Sequence, residues 1–296
     1  MKTIIIALLL TFAVCEEMLV TQEHTDYLKK HVTWEVADYS ENVFRGWTKD
    51  EVASIMAPED AAFDTMPGTP VAVSDAESLP ASKNWKELRA DCIHEAKNQG
   101  RCASGWAFTG VGVVSDRCCL RLKDYGWLSA QELISCDDND MGCNGGMATD
   151  VMLYAAQNGI VSEKCYPYVA KEEKCPTKCV DGSDWAKAHV CHCKTKVTCS
   201  GVEGFKTCLQ SGPVNAVLLV RSDFMYYKGG VYHEDKKSQK LGRHTLRCYG
   251  YSDKPEFHWM CANSWGTTWG EAGSIRIAKN TTDMEGNDAS YCDPAQ

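Results

Sequence analysis

The sequence predicts an α+β fold of two packed lobes, helical in its first half and strand-rich in its second, behind a separate N-terminal segment. Three observations predict it. Apolar residues recur at helical spacing up to about residue 158, and after about residue 200 they fall into short β-prone runs punctuated by glycine. Every cysteine beyond Cys15 lies at Cys92 or later, so a cysteine-rich body follows a cysteine-free stretch. At 296 residues, 44% hydrophobic and 24% charged, the chain is long enough for one large or two small globular units.

Taken in chain order, residues 1–15 read as a signal peptide. Lys2 supplies a positive start, Ile4 to Val14 an apolar stretch, and Ala13-Val14-Cys15 a small-residue cleavage site. That stretch falls short of the roughly 20 residues a membrane span needs, so no transmembrane anchor is expected. Residues 16–78 read as a prosegment, weakly helical from His24 to Glu41. Met66-Pro67-Gly68-Thr69-Pro70 is expected to be an extended, mobile connector, and the body spans 79–296.

Within the body, Ala107, Val111, Val114 and Cys118 form one helical stripe, with Ser104 as the expected N-cap. Leu128 to Ile134 and Thr149 to Asn158 read as two further helices, the second ended by Asn158-Gly159. Val214 to Val220, Gly230 to Tyr232, Thr245 to Tyr251, Trp259 to Ala262 and Ser274 to Ile277 read as strands.

Composition narrows the function. A formal charge of −9 with no Lys/Arg-rich block argues against nucleic acid as a partner. Sixteen cysteines follow Cys15, an even number suited to disulfides in an oxidising compartment, secreted or lysosome-like. Cys191-His192-Cys193 with Cys199 invites a zinc reading. The C-x-C spacing and the lack of a second matched pair favour disulfides, so no metal and no cofactor is expected. Asn280-Thr281-Thr282 fits the N-glycosylation pattern.

The chemistry concentrates in four short strings. Gln99-Gly100-Arg101-Cys102-Ala103-Ser104-Gly105-Trp106 opens the first helix, and Cys143-Asn144-Gly145-Gly146 follows. Gly242-Arg243-His244 and Ala262-Asn263-Ser264-Trp265-Gly266 lie about 140 and 160 residues after Gly105. A cysteine nucleophile needs a helix N-terminus to favour its thiolate, a histidine, a group to orient that histidine, and oxyanion donors. On these strings the chain resembles papain-family cysteine peptidases, whose C-G-[SA]-C-[WY] signature reads C-A-S-G-W here. Leu79-Pro80-Ala81-Ser82, Ser115-Asp116-Arg117 and Tyr227-Lys228-Gly229-Gly230-Val231-Tyr232 are most similar to the cathepsin B branch.

The resemblance implies a papain-like fold, a helical lobe against a β-barrel-like lobe, preceded by a prosegment. Gln99 would give the oxyanion-hole amide, His244 the acid/base and Asn263 the group that orients it; Gly105 takes the nucleophile's place. Gly145 and Gly146 would offer backbone to an extended substrate. Trp265, grouped with them as substrate-binding, would shield the His–Asn bond from water. The implied disulfides are Cys102–Cys143, Cys136–Cys175, Cys92–Cys119 and Cys165–Cys179; the other eight cysteines receive no partner from the family. The implied partners are extended peptides or protein substrates, cystatin-like inhibitors and related proteases.

The chain departs from the family at the reaction centre. Gly105 removes the thiol, Ala103 adds a methyl where glycine is usual, and Arg243 places a cation before His244 that is expected to disfavour the imidazolium. Only Val169 to Lys174 separates Tyr168 from Cys175, with no His-His pair, so the long occluding loop of cathepsin B is missing. Deleting the nucleophile of a serine-protease triad costs on the order of 10⁶ in turnover, roughly 8 kcal/mol of barrier. The leading reading is a catalytically inactive homologue that still binds peptides, prosegments or inhibitors. The alternatives are an active cysteine endopeptidase, with Gly105 an allele, an engineered change or a sequence error, and a secreted structural or adhesive protein on a disulfide-braced fold.

Overall fold

The computed structural model describes residues 17–59, 68–73, 78–286 and 289–295. The expected signal peptide and the first two residues of the expected connector lie outside them. Helix α1 (Gln22–His31) starts where Thr21 Oγ1 accepts the His24 amide, and strand β1 (Glu35–Val36) follows. The expected helix to Glu41 therefore stops ten residues early. Val32 and Thr33 are β-branched, and Trp34 is drawn into the body, 4% exposed, with Nε1 donating to His233 O at 2.9 Å. Burying the indole outweighs one more helical turn.

Helix α2 (Lys49–Ala53) is fixed by a reciprocal capping box between Thr48 and Glu51. Strand β2 (Thr69–Pro70) runs parallel to residues 197 and 198 of the body. The described part of the connector is thus extended as expected but pinned to a sheet edge, where proline is tolerated.

The body begins with strand β3 (Ser82–Asn84) and the short helix α3 (Trp85–Leu88). Helix α4 (Gly105–Arg121) is buried around its whole girth as far as Cys118, so the stripe read from sequence understates its burial. Ser104 holds the N-cap position, its carbonyl accepting the Phe108 amide, but its hydroxyl makes no cap bond. It bonds the Tyr168 hydroxyl at 2.7 Å instead.

Helices α5 (Ala130–Cys136), α6 (Ala148–Asn158) and α7 (Trp185–Ala188) complete the first lobe, with Gly159 at positive φ closing α6. Strand β4 (Cys193–Cys199) and helix α8 (Gly201–Leu209) follow. Then come β5 (Val214–Arg221), β6 (Tyr227–Gly229), β7 (Val231–Tyr232), β8 (Lys240–Ser252), β9 (His258–Ala262), β10 (Ser274–Ala278) and β11 (Ala289–Pro294).

The main sheet runs β2-β4-β11-β5-β8-β9-β10-β7, with β3 extending the far end of β8. Among the described residues its pairing runs from β2 to β7 as one long mixed sheet, the strand-rich lobe that the sequence predicts. Strand β1 pairs separately with β6. Leu28, Trp34, Phe44, Val52 and Ile55 of the N-terminal segment join the same hydrophobic cluster as α4 and β5, so segment and body share one core.

All sixteen cysteines of the body are paired. Cys92–Cys119, Cys102–Cys143, Cys136–Cys175 and Cys165–Cys179 are joined by Cys118–Cys191, Cys193–Cys292, Cys199–Cys208 and Cys248–Cys261. Cys191, Cys193 and Cys199 therefore have no thiolate to offer a zinc ion.

Candidate active site

The N-terminus of α4 and the middle of β8 face each other across a cleft lined by Ala103, Gly105, Trp106, Gly145, Gly146, Arg243, His244 and Thr245. The alternation of β8 decides what points into it. Leu219 of β5 faces Arg243, but the Leu219 amide bonds Thr282 O, while the N–H and C=O of Arg243 pair with Ala57. One residue on, the His244 side chain reaches α4.

His244 is buried, and Nε2 lies 2.8 Å from Asn263 Oδ1. That oxygen also accepts the Ser264 amide at 2.7 Å, which fixes the carboxamide with its acceptor toward the ring. Nε2 must then carry the proton, leaving Nδ1 unprotonated in the neutral ring. Burial pushes the imidazole down to about 4, against the opposing effect of the Asn263 bond. The cation of Arg243 is not among the causes; its Nε donates to Glu59 O at 2.8 Å. The sequence expectation of an electrostatic effect from Arg243 is corrected accordingly.

Gly105 sits opposite Nδ1. A Cβ built on it would lie 2.6 Å from His244 Cε1 and 3.1 Å from both His244 Nδ1 and Gln99 Oε1. A side chain at this position would thus project between the imidazole and the Gln99 amide, in close contact with both. Gln99 is fully buried; its Oε1 accepts from Ser264 Oγ at 2.7 Å, and its Nε2 donates to Cys102 O at 2.9 Å and Ile55 O at 3.3 Å.

Trp265 stacks on the imidazole at 4.8 Å between centroids and meets Phe44 edge-on at 5.0 Å. Trp265 is 4% exposed while Phe44 of the N-terminal segment packs on it. Gly145 and Gly146 do line the cleft. Gly145 adopts φ +115°, and a Cβ on Gly146 would come within 2.6 Å of the Trp106 ring.

The cleft is already filled. Ile55, Met56 and Ala57 run along it, with Ala57 N–H to Arg243 O at 2.9 Å and Arg243 N–H to Ala57 O at 2.8 Å. The space left is about 20 Å³, room for one water at most. Gly242 permits this approach, since a Cβ there would stand 2.5 Å from Ala57 O. Sequence reasoning missed this occupant, because nothing local in Ile55-Met56-Ala57 announces a partner 186 residues away.

Among the described residues, Asp91, Cys92 and Cys119 form the sole cluster with metal-ligand spacing, and both of its sulfurs are in a disulfide. No helix among the described residues is long and apolar enough to cross a membrane.

Residues 79–293 match the sequence profile of the papain family cysteine proteases, and the chain belongs to that family. It is 34% identical over 260 residues to Cathepsin B-like CP2 of Giardia intestinalis, covering 84% of this chain and 85% of the relative. It is 31% identical over 291 residues to Tubulointerstitial nephritis antigen of Homo sapiens, covering 81% of this chain and 61% of that protein. Among solved structures, proCathepsin B S9 from Trypanosoma congolense superposes with a TM-score of 0.80 at 25% identity, covering 94% of this chain and 99% of the other. The N-terminal segment is accordingly a prosegment on a papain-like α+β fold.

Proposed function

We propose that this cathepsin B-like chain binds extended polypeptide in its cleft without thiol-dependent hydrolysis, because Gly105 stands where the nucleophile belongs. One observation carries the reading. The direction of a Cβ from Gly105 points straight at His244 and Gln99, so the auxiliary groups converge on an atom the chain does not have. His244 would be the acid/base, Asn263 its orienting group and Gln99 an oxyanion donor, each awaiting a nucleophile.

Neighbouring groups offer no substitute. The Ser104 hydroxyl is fully buried and engaged with Tyr168, and Cys102 is in a disulfide. Polypeptide binding is supported by the prosegment itself, which lies in the cleft on main-chain hydrogen bonds, as an added strand would. The loop from Val169 to Lys174 is short and tied down, Gln131 accepting from the Val169 amide and donating to Lys171 O. It leaves the cleft without a long loop across its end. A relative named as an antigen rather than as a peptidase is consistent with an inactive member of the family.

On this reading the prosegment ends near residue 78, the protein travels the secretory pathway, and its partners are extended peptides, cystatin-like inhibitors or related proteases. The test is inhibitor binding by the purified chain after its prosegment has been cut by an added endopeptidase. Saturable binding of a cystatin-like inhibitor is expected. No measurable affinity would favour the adhesive-protein reading.

A further inference from the structure

Resting on the proposed peptide-binding cleft, we infer that Lys240 and Arg243 form a cationic clamp that selects an acidic residue in the polypeptide lying there. Arg243 is the departure from the family that the inactive site does not explain. Its backbone holds Ala57 by two hydrogen bonds, and its side chain reaches two residues further to take the carbonyl of Glu59 at 2.8 Å. Three residues earlier on the same strand, Lys240 makes an ion pair with the Glu59 carboxylate.

The register explains the division of labour. The backbone groups of Arg243 face the cleft instead of β5, so any extended chain lying antiparallel to β8 can pair there. Such pairing reads no sequence, because every residue has the same main-chain groups. Sequence enters two positions beyond the paired residue, where the side chain arrives at Lys240 and the carbonyl at Arg243. An acidic side chain there gains an ion pair; a neutral one does not, and a basic one is repelled. Pro58, between Ala57 and Glu59, supports this geometry by limiting the backbone conformations of the approach. The ligand class is thus an extended peptide with Asp or Glu two residues after the one paired with Arg243, and the prosegment is the resident example.

The two side chains of the ion pair are 44% and 50% exposed, so the selectivity is modest, about two- to five-fold, and weakens with salt. The test uses the full chain and reads the clamp in cis, through hydrogen exchange of the Ala57 amide. Glu59 is replaced by Asp, Gln and Lys, each in the native background and with Lys240→Glu. Amides within α4 serve as the control for global folding.

The expected order of protection at Ala57 is Glu and Asp first, then Gln, then Lys, with Glu59→Lys exchanging about two- to five-fold faster than native. With Lys240→Glu the order reverses and Glu59→Lys becomes the best protected. Arg243→Ala weakens protection for every residue at position 59. Equal protection across the series, or an order that Lys240→Glu does not reverse, overturns the clamp. The readout involves no turnover, so peptide hydrolysis by the native chain would defeat the proposed function while leaving this result to stand.

Discussion

Gly105→Cys restores the one side chain the site lacks, and the structure sets what that insertion costs. The new Cβ would stand 2.6 Å from His244 Cε1, where carbon contacts normally settle at about 3.5–4.0 Å. The imidazole must retreat by about 1 Å while keeping its stack on Trp265 and its bond to Asn263. Overpacking of this kind costs about 1–3 kcal/mol. A nucleophile is worth on the order of 10⁶ in turnover, about 8 kcal/mol. The difference leaves a gain of about 5–7 kcal/mol, or roughly 10³- to 10⁵-fold in kcat over the native chain. The assay is steady-state cleavage of a fluorogenic peptidyl substrate, with the prosegment trimmed identically in both proteins and Gly105→Cys/His244→Ala as control. The reasoning is refuted if Gly105→Cys is no faster than native, or if removing the imidazole leaves its rate unchanged.

Three further outcomes follow from the geometry. Because the His244 imidazole falls from 6.5 to about 4 on folding, the unfolded chain binds the extra proton between those values, and stability contributed at this site declines as pH falls from 6.5 towards 4, by about 3 kcal/mol in all. Asp140 and Asp223, raised by burial to about 7 and about 6, act in the opposite sense in both proteins. The check is therefore the stability difference between native and His244→Gln across pH 4–7, which should shrink as pH falls by the histidine's share and would stay flat if the imidazole were not depressed. Gly242→Ala pushes a methyl against Ala57 O at a φ of +147°, and should loosen the prosegment by about 1–3 kcal/mol, seen as faster exchange at the Ala57 amide with α4 unaffected. Arg117→Ala removes a fully buried guanidinium that bonds Pro213 O, Gly212 O and Asp293 and lies over the Tyr291 ring. It should cost about 3–5 kcal/mol by urea denaturation.

Much of this was legible in the chain because it is written locally. The α4 stripe, the Asn158-Gly159 stop and the five strand runs each depend on neighbours within a few residues, and each element stands within a few residues of its expected place. The Thr48–Glu51 capping box was equally local and went unread. Strand β4 carries a period-two pattern in Cys193-Lys194-Thr195-Lys196-Val197-Thr198-Cys199, obscured by the question of metal binding that its cysteines raise.

What stayed hidden depends on distant partners. The pairing of Cys193 with Cys292, 99 residues on, follows from β4 lying beside β11, which no spacing rule contains. Trp265 reads as a site residue from its motif, but its packing against both Phe44 and His244 depends on partners distant in sequence. The filling of the cleft by Ile55–Ala57 depends on which backbone groups of β8 the sheet leaves unpaired, a matter of register rather than composition.

The most direct test of the central claim is turnover by the native chain itself. With the prosegment cut and the added endopeptidase removed, kcat on a fluorogenic peptidyl substrate should fall about 10⁶-fold below that of an active papain-family peptidase assayed alongside. A value within about tenfold of the active enzyme would contradict the account, because it would require a nucleophile that Gly105 does not supply.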